Sequence, residues 1–186
     1  MLRKIFIVSI LFILSLGYAP DSMAYSSRSK IYLGADYVYS DIKYKNDTVF
    51  EMDDPYEGVA ATIGFSSYGI GLEAWYMFSD KVKNSQDYAS ELSAYGVDLV
   101  GEAPLTDNFS VIVSIGLAKY TFNITQPNGV DYDQSVNGPR LGIGLQYEIL
   151  PHIALRSMFH YTTLNSGETD FYDGVGEISG GIRIIY

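Results

Sequence analysis

The chain has 186 residues, no cysteine, 22 acidic against 12 basic side chains, and 17 Tyr, 9 Phe and 1 Trp. This aromatic content excludes a disordered acidic tail, and a net charge of -10 argues against a nucleic-acid partner, whose polyanion needs a basic footprint. Lack of cysteine removes disulfides, thiolate metal sites, a cysteine nucleophile and lipidated cysteine.

The first predicted element is a leader. Arg3 and Lys4 precede the apolar run Ile5 to Leu16, and Ser22-Met23-Ala24 offers small residues at the two positions a signal peptidase inspects. The apolar run is too short for a hydrocarbon core of ~30 Å. Cleavage is therefore expected after Ala24, with 1–24 a signal peptide and 25–186 one exported domain. No later run is long and apolar enough for a membrane helix, so any membrane the exported chain spans must be spanned by strands.

Eight stretches then alternate with period two, the strand signal rather than the helical one. In the first, Ile31, Leu33, Ala35, Tyr37 and Tyr39 oppose Tyr32, Gly34, Asp36 and Val38. The next two set Val59, Ala61, Ile63 and Phe65 against Gly58, Ala60, Thr62 and Gly64, then Ile70, Leu72, Ala74, Tyr76 and Phe78 against Gly71, Glu73, Trp75 and Met77. The fourth and fifth oppose Tyr95, Val97 and Leu99 to Gly96 and Asp98, and Val111, Val113, Ile115 and Leu117 to Ser110, Ser114 and Gly116. The sixth to eighth carry Arg140, Gly142, Gly144, Gln146 and Glu148, then Arg156, Met158 and His160, then Glu177, Ser179, Gly181 and Arg183 on their minority faces.

A soluble sandwich and a membrane barrel would both alternate, and three features favour the barrel. Long connections at 44–56, 79–89, 123–137 and 164–174 alternate with short ones near 66–67, 104–108 and 150–152, the layout of external loops and periplasmic turns. The minority face carries Gly, Ser and paired charges while the other is aliphatic with Tyr or Phe near strand ends, an inversion that lipid outside and a polar interior demand. The sequence also finishes on a strand with an aromatic residue. The expected fold is all-β: an eight-stranded antiparallel up-and-down transmembrane β-barrel in the outer membrane of a Gram-negative bacterium. Such a barrel is just wide enough to be filled by side chains, which excludes a wide porin channel.

The segments Tyr95-Gly-Val-Asp-Leu-Val-Gly101 with Pro104-Leu-Thr-Asp-Asn108, and Gly142-Ile-Gly-Leu-Gln-Tyr147 with Ile153-Ala-Leu-Arg156 and Phe159-His-Tyr161, resemble strands of OmpA-type barrel domains. The final Gly181-Ile-Arg-Ile-Ile-Tyr186 resembles the signal read by the barrel-assembly machinery, which implies that Ile182, Ile184 and Tyr186 serve assembly. Such signals more often end in Phe. The resemblance implies an architecture rather than an activity: the family includes membrane-stabilising proteins, adhesins and immune-evasion proteins.

Candidate chemistry is sparse. His152 lies in a turn beside Pro151. His160, with Thr162 and Glu168 nearby, faintly resembles the His-x-Ser neighbourhood of outer-membrane lipid A deacylases, but its phase points it inward, and a hydroxyl nucleophile needs a base facing the substrate. Two separated His and no Cys give no metal spacing. The acidic set Asp47, Glu51, Asp53 and Asp54 lacks a calcium loop's pattern, and Gly142-x-Gly144 is followed by strand rather than helix. No cofactor or metal is expected. An interior charge network is expected from Asp36, Glu73, Asp98, Arg140, Glu148, Arg156, Glu177 and Arg183. At ~2.5 Å of height per tilted residue, Glu73, Asp98, Glu148, Arg156 and Arg183 fall roughly 5–12 Å inside the periplasmic end, with Asp36 level and Arg140 and Glu177 nearer the mouth.

The expected function is non-enzymatic: membrane integrity plus adhesion or host contact through the four long loops. The alternatives are a lipid A-modifying enzyme using His160 and a narrow, low-conductance pore. Expected partners are outer-membrane lipid, lipopolysaccharide, the barrel-assembly machinery and a loop ligand.

Overall fold

The structure, a computed structural model, describes residues 29–45, 51–164 and 172–186. The expected signal peptide and its cleavage point lie outside the described residues. Nine strands are formed among those described: β1 (Lys30–Tyr44), β2 (Tyr56–Ser67), β3 (Ile70–Ser79), β4 (Val82–Lys83), β5 (Ala89–Pro104), β6 (Phe109–Thr125), β7 (Asp131–Leu150), β8 (Ile153–Thr163) and β9 (Tyr172–Ile185). β4 is a two-residue ladder on β5 within the connection after β3. The other eight are the staves of a closed barrel: every neighbouring pair is antiparallel, β3 pairs directly with β5, and β1 pairs with both β2 and β9 to complete the ring. Closure leaves no unpaired sheet edge in the hydrocarbon.

Alternation along each stave separates two environments. Outward Leu33, Ile63, Leu72, Val97, Ile143, Phe159 and Ile182 are exposed, whereas inward Asp36, Glu73, Asp98, Arg140, Arg156, Glu177 and Arg183 are buried. That is the reverse of a soluble sandwich and suits a wall with lipid outside. The short connection between β2 and β3 is Tyr68–Gly69, one step beyond the expected 66–67, with both φ angles positive at 53° and 78°. Two positive φ values in succession are the type I′ pattern, whose twist matches the flanking strands.

The expected long loop at 123–137 is overturned. β6 runs on to Thr125 and β7 begins at Asp131, paired without interruption from Phe109↔Tyr147 to Thr125↔Asp131. The connection shrinks to a turn in which Gln126 N–H donates to Val130 O at 2.9 Å and Gly129 takes φ 80°. The cause is a change of solvent partway up the stave. Below Leu117, β6 puts Val111, Val113 and Ile115 outward and Ser110 and Ser114 inward; above it, Lys119, Thr121 and Asn123 face out while buried Tyr120, Phe122 and Ile124 face in. The upper hairpin follows the water-soluble pattern, so a search for an apolar outer face stops there.

β5, β6 and β7, with 16, 17 and 20 residues, rise above β3 and β8, with 10 and 11. Inside this taller wall sits the main apolar core, built from Ile42, Met52, Tyr56, Leu92, Tyr120, Phe122, Val136 and Tyr172 among others. Phe122 and Tyr172 stack at 4.4 Å between ring centroids. Smaller apolar clusters, Val100 with Ile112 and Met158, and Tyr32 with Ala154 and Ile185, fill the end carrying the short turns.

Candidate functional site

Between the loop-end core and the turn-end clusters lies a charged layer. A guanidinium in a nearly dry lumen has to be matched by carboxylates within hydrogen-bond reach, and three arginines are. Arg140 on β7 spans the bore, reaching Asp98 on β5 at 2.9 Å and Glu177 on β9 at 2.8 Å. Its guanidinium also lies over the Trp75 ring, 4.0 Å from the centroid. Arg156 on β8 reaches Glu73 across the barrel at 2.6 Å and donates twice to Gln146 Oε1, at 3.0 and 2.8 Å. Arg183 on β9 pairs with Asp36 on neighbouring β1 at 2.8 Å. Hydroxyls complete the set: Tyr32 donates to Glu73 at 2.9 Å, Tyr120 to Glu177 at 3.2 Å, and Thr62 to Asp36 at 3.4 Å.

Glycine makes the room. A methyl on Gly116 would meet the Asp98 carboxylate and the Val97 carbonyl, and one on Gly142 would meet His160 and the Ser114 hydroxyl. The described side chains enclose at this level a cavity of about 30 Å³, walled in part by Trp75, His160 and Glu177, room for about one water.

Two of the eight charged positions have partners that the level arithmetic did not foresee. Asp98 is the direct cross-strand partner of Glu73 in the lower group, yet its ion pair is with Arg140. Glu148 lies at the turn-end rim, half-buried, paired with Lys30 at 3.2 Å. Sequence reasoning passed over Lys30, Tyr32, Gln146, Tyr120 and Trp75 as members of this layer. An inward phase opposite Arg156 was the available signal for Gln146; Tyr32 is flanked by Gly64 and Ile185 and reaches Glu73 one strand beyond Gly64, so its own neighbours gave none.

The residues of the deacylase alternative do not form a lipid-facing site. His160 and Thr162 are buried on the lumen side, and Thr162 shares a 2.9 Å hydrogen bond with the Tyr120 hydroxyl; Glu168 is outside the described residues. In the acidic loop set, Asp47 is likewise outside the described residues, while Asp53 accepts from Ser85 N–H at 2.7 Å and the Glu51 carbonyl from Asn84 Nδ2 at 3.1 Å, tying the connection after β1 to that after β3. At the other end, Tyr186 exchanges backbone hydrogen bonds with Ile31 at 2.8 and 3.3 Å, and Ile182 and Ile184 point outward.

The profile of the outer membrane protein beta-barrel domain family matches residues 9–182. The chain belongs to that family. Its place is accordingly the bacterial outer membrane, and the outward belt is the face that meets lipid. Solved structures of the same shape include Ail, the attachment invasion locus protein of Yersinia pestis, in complex with the heparin analogue sucrose octasulfate. That match has 15% identity, covers 86% of this chain and 99% of that one, and has a TM-score of 0.64. Neisserial surface protein A matches at 15% identity, with coverage of 84% and 96% and a TM-score of 0.59. The N-terminal β-barrel domain of Pseudomonas aeruginosa OprF matches at 12% identity, with coverage of 86% and 100% and a TM-score of 0.60. At these identities the likeness is one of fold. No curated protein matches the sequence.

Proposed function

We propose that this outer-membrane barrel is a non-enzymatic, non-conducting scaffold that stabilises the membrane and presents its loop end to partners outside the cell. The observation that carries the reading is the filled lumen: ion pairs cross the bore at mid-height and an apolar core stops it above. A bore filled this way offers no ion path, and a hydrolase working on lipid would need His160 on the opposite face of the wall. Recognition then falls to the loop end. Ail was solved with a sulfated polyanion, but the described loop end here carries Glu51, Asp53, Asp54, Asp80, Asp87, Asp131 and Asp133 against Lys45, Lys81 and Lys83, a net acidic set. Acidic loops favour basic partners, or divalent bridges to lipopolysaccharide phosphates. In this reading the loop end is extracellular, the leader is cleaved after Ala24, and Ile182, Ile184 and Tyr186 are read by the assembly machinery.

The test is a binding screen against host-cell surfaces and lipopolysaccharide in which the loop-end connections are exchanged one at a time, run beside planar-bilayer recordings. Loss of binding with one exchange and a silent bilayer are expected. Sustained open-channel steps, or lipid A deacylation that disappears in His160→Ala, would overturn the proposal.

A further inference from the structure

We infer that the outward face of β8 and β9 holds one acyl chain of a phospholipid in a groove floored by Ser157. The groove measures about 380 Å³, is lined by Phe109, Leu145, Tyr147, Leu155, Ser157 and Ile182, and lies open on the outer wall.

Its origin is visible in the register. Leu145, Ser157 and Gly180 are successive cross-strand partners on the lipid side. The row below consists of Tyr147, Leu155 and Ile182, and the row above of Ile143, Phe159 and Ile178, all exposed large side chains. Two adjacent small residues between two rows of large ones leave a trough that continues the groove from Ser157 across to Gly180, where an added Cβ meets nothing within 4 Å.

The occupant follows from where the trough lies. It is continuous with the belt that faces hydrocarbon, and the two polar side chains beneath it, Gln146 and Arg156, turn inward and bond each other. The groove lining offers this face only the Ser157 and Tyr147 hydroxyls and no outward charge, so the site selects a chain by shape. Lipid tails are as apolar as the wall, so the gain comes from van der Waals contact in a trough that a straight chain fills. Ser157 is the fifth residue of β8 from its turn end, roughly 10 Å up at ~2.5 Å per tilted residue. The chain therefore comes from the leaflet at the turn end.

The test is native mass spectrometry of the protein extracted from outer membranes in mild detergent and supplied with phosphatidylethanolamine or phosphatidylglycerol. The wild type should keep one phospholipid of either headgroup. Ser157→Leu and Gly180→Val each fill the trough and should lower the one-lipid peak at least fivefold, while Val97→Leu, outward on β5, should leave it intact. Gly180→Val adds bulk into open space and keeps the test alive if Ser157→Leu folds poorly, as read from heat-modifiable migration. Equal peaks in all four proteins would overturn the inference. So would strong dependence on the headgroup, or a barrel dimer that Ser157→Leu abolishes, since that would give the trough to a second copy.

Discussion

Removing Arg156 should be among the most damaging single changes in this barrel, and its cost should shrink when Glu73 is neutralised with it. In Arg156→Met the Glu73 carboxylate keeps only the Tyr32 hydroxyl at 2.9 Å, and Gln146 Oε1 loses both guanidinium donors. A charge left unpaired in a buried site costs about 3–5 kcal/mol, and an unsatisfied buried carbonyl adds roughly 1 kcal/mol. The double variant Arg156→Met/Glu73→Gln removes both charges and keeps a group that can bond Tyr32, so it should recover about 2 kcal/mol. Thr163→Ala, exposed on the outer wall, should fall within about 0.5 kcal/mol of wild type. Urea unfolding of the barrel in lipid vesicles reads all four, with fluorescence from Trp75, the chain's single tryptophan, which lies under the Arg140 guanidinium. If Arg156→Met is no worse than Thr163→Ala, or the double variant is as unstable as the single, the pairing does not stabilise the fold and the reasoning fails.

Gly116→Ala should destabilise by about 1–3 kcal/mol, because the added methyl meets the Asp98 carboxylate and the Val97 backbone, whereas Gly180→Ala should be neutral in the same urea experiment. Deleting Tyr186 removes the residue that exchanges backbone hydrogen bonds with Ile31 and should reduce the heat-modifiable folded band in cells; an unchanged band would dissociate the last residue from assembly. Protease added to intact cells should cut within 79–89 or 126–130 and spare Tyr68–Gly69 and Pro151–His152, and cutting confined to permeabilised cells would mean the barrel is inserted the other way up.

The eight staves and their closure were legible because period-two alternation survives wherever one face meets lipid and the other a filled bore. The same signal explains the miss at 123–137. Thr121, Phe122, Asn123, Ile124 and Thr125 still alternate, but the apolar members turn inward once the wall leaves the membrane, and a reader seeking an apolar outer face takes the segment for a loop. The charged layer was legible as a list of inward residues, since inward charge in a narrow bore stands out. Which acid meets which arginine was not, because levels counted along separate strands ignore the stagger between them. That stagger brings Arg140 to Asp98, and it carries Glu148 to the rim beside Lys30, a residue just outside the stretch first read as strand.

The reversal of polarity along β6 and β7 gives one wall two regimes of cohesion. Around Tyr120, Phe122 and Tyr172 the staves are held as a water-soluble protein is, by exclusion of water, a force that weakens on cooling and in urea. Beside the lipid no such force acts between wall and surroundings, and cohesion rests on packing, backbone ladders and the ion pairs. The rim that bears the loops is therefore thermally softer toward the cold than the stem beneath it. A shift in temperature changes how firmly the outer surface is held while the embedded ring stays closed.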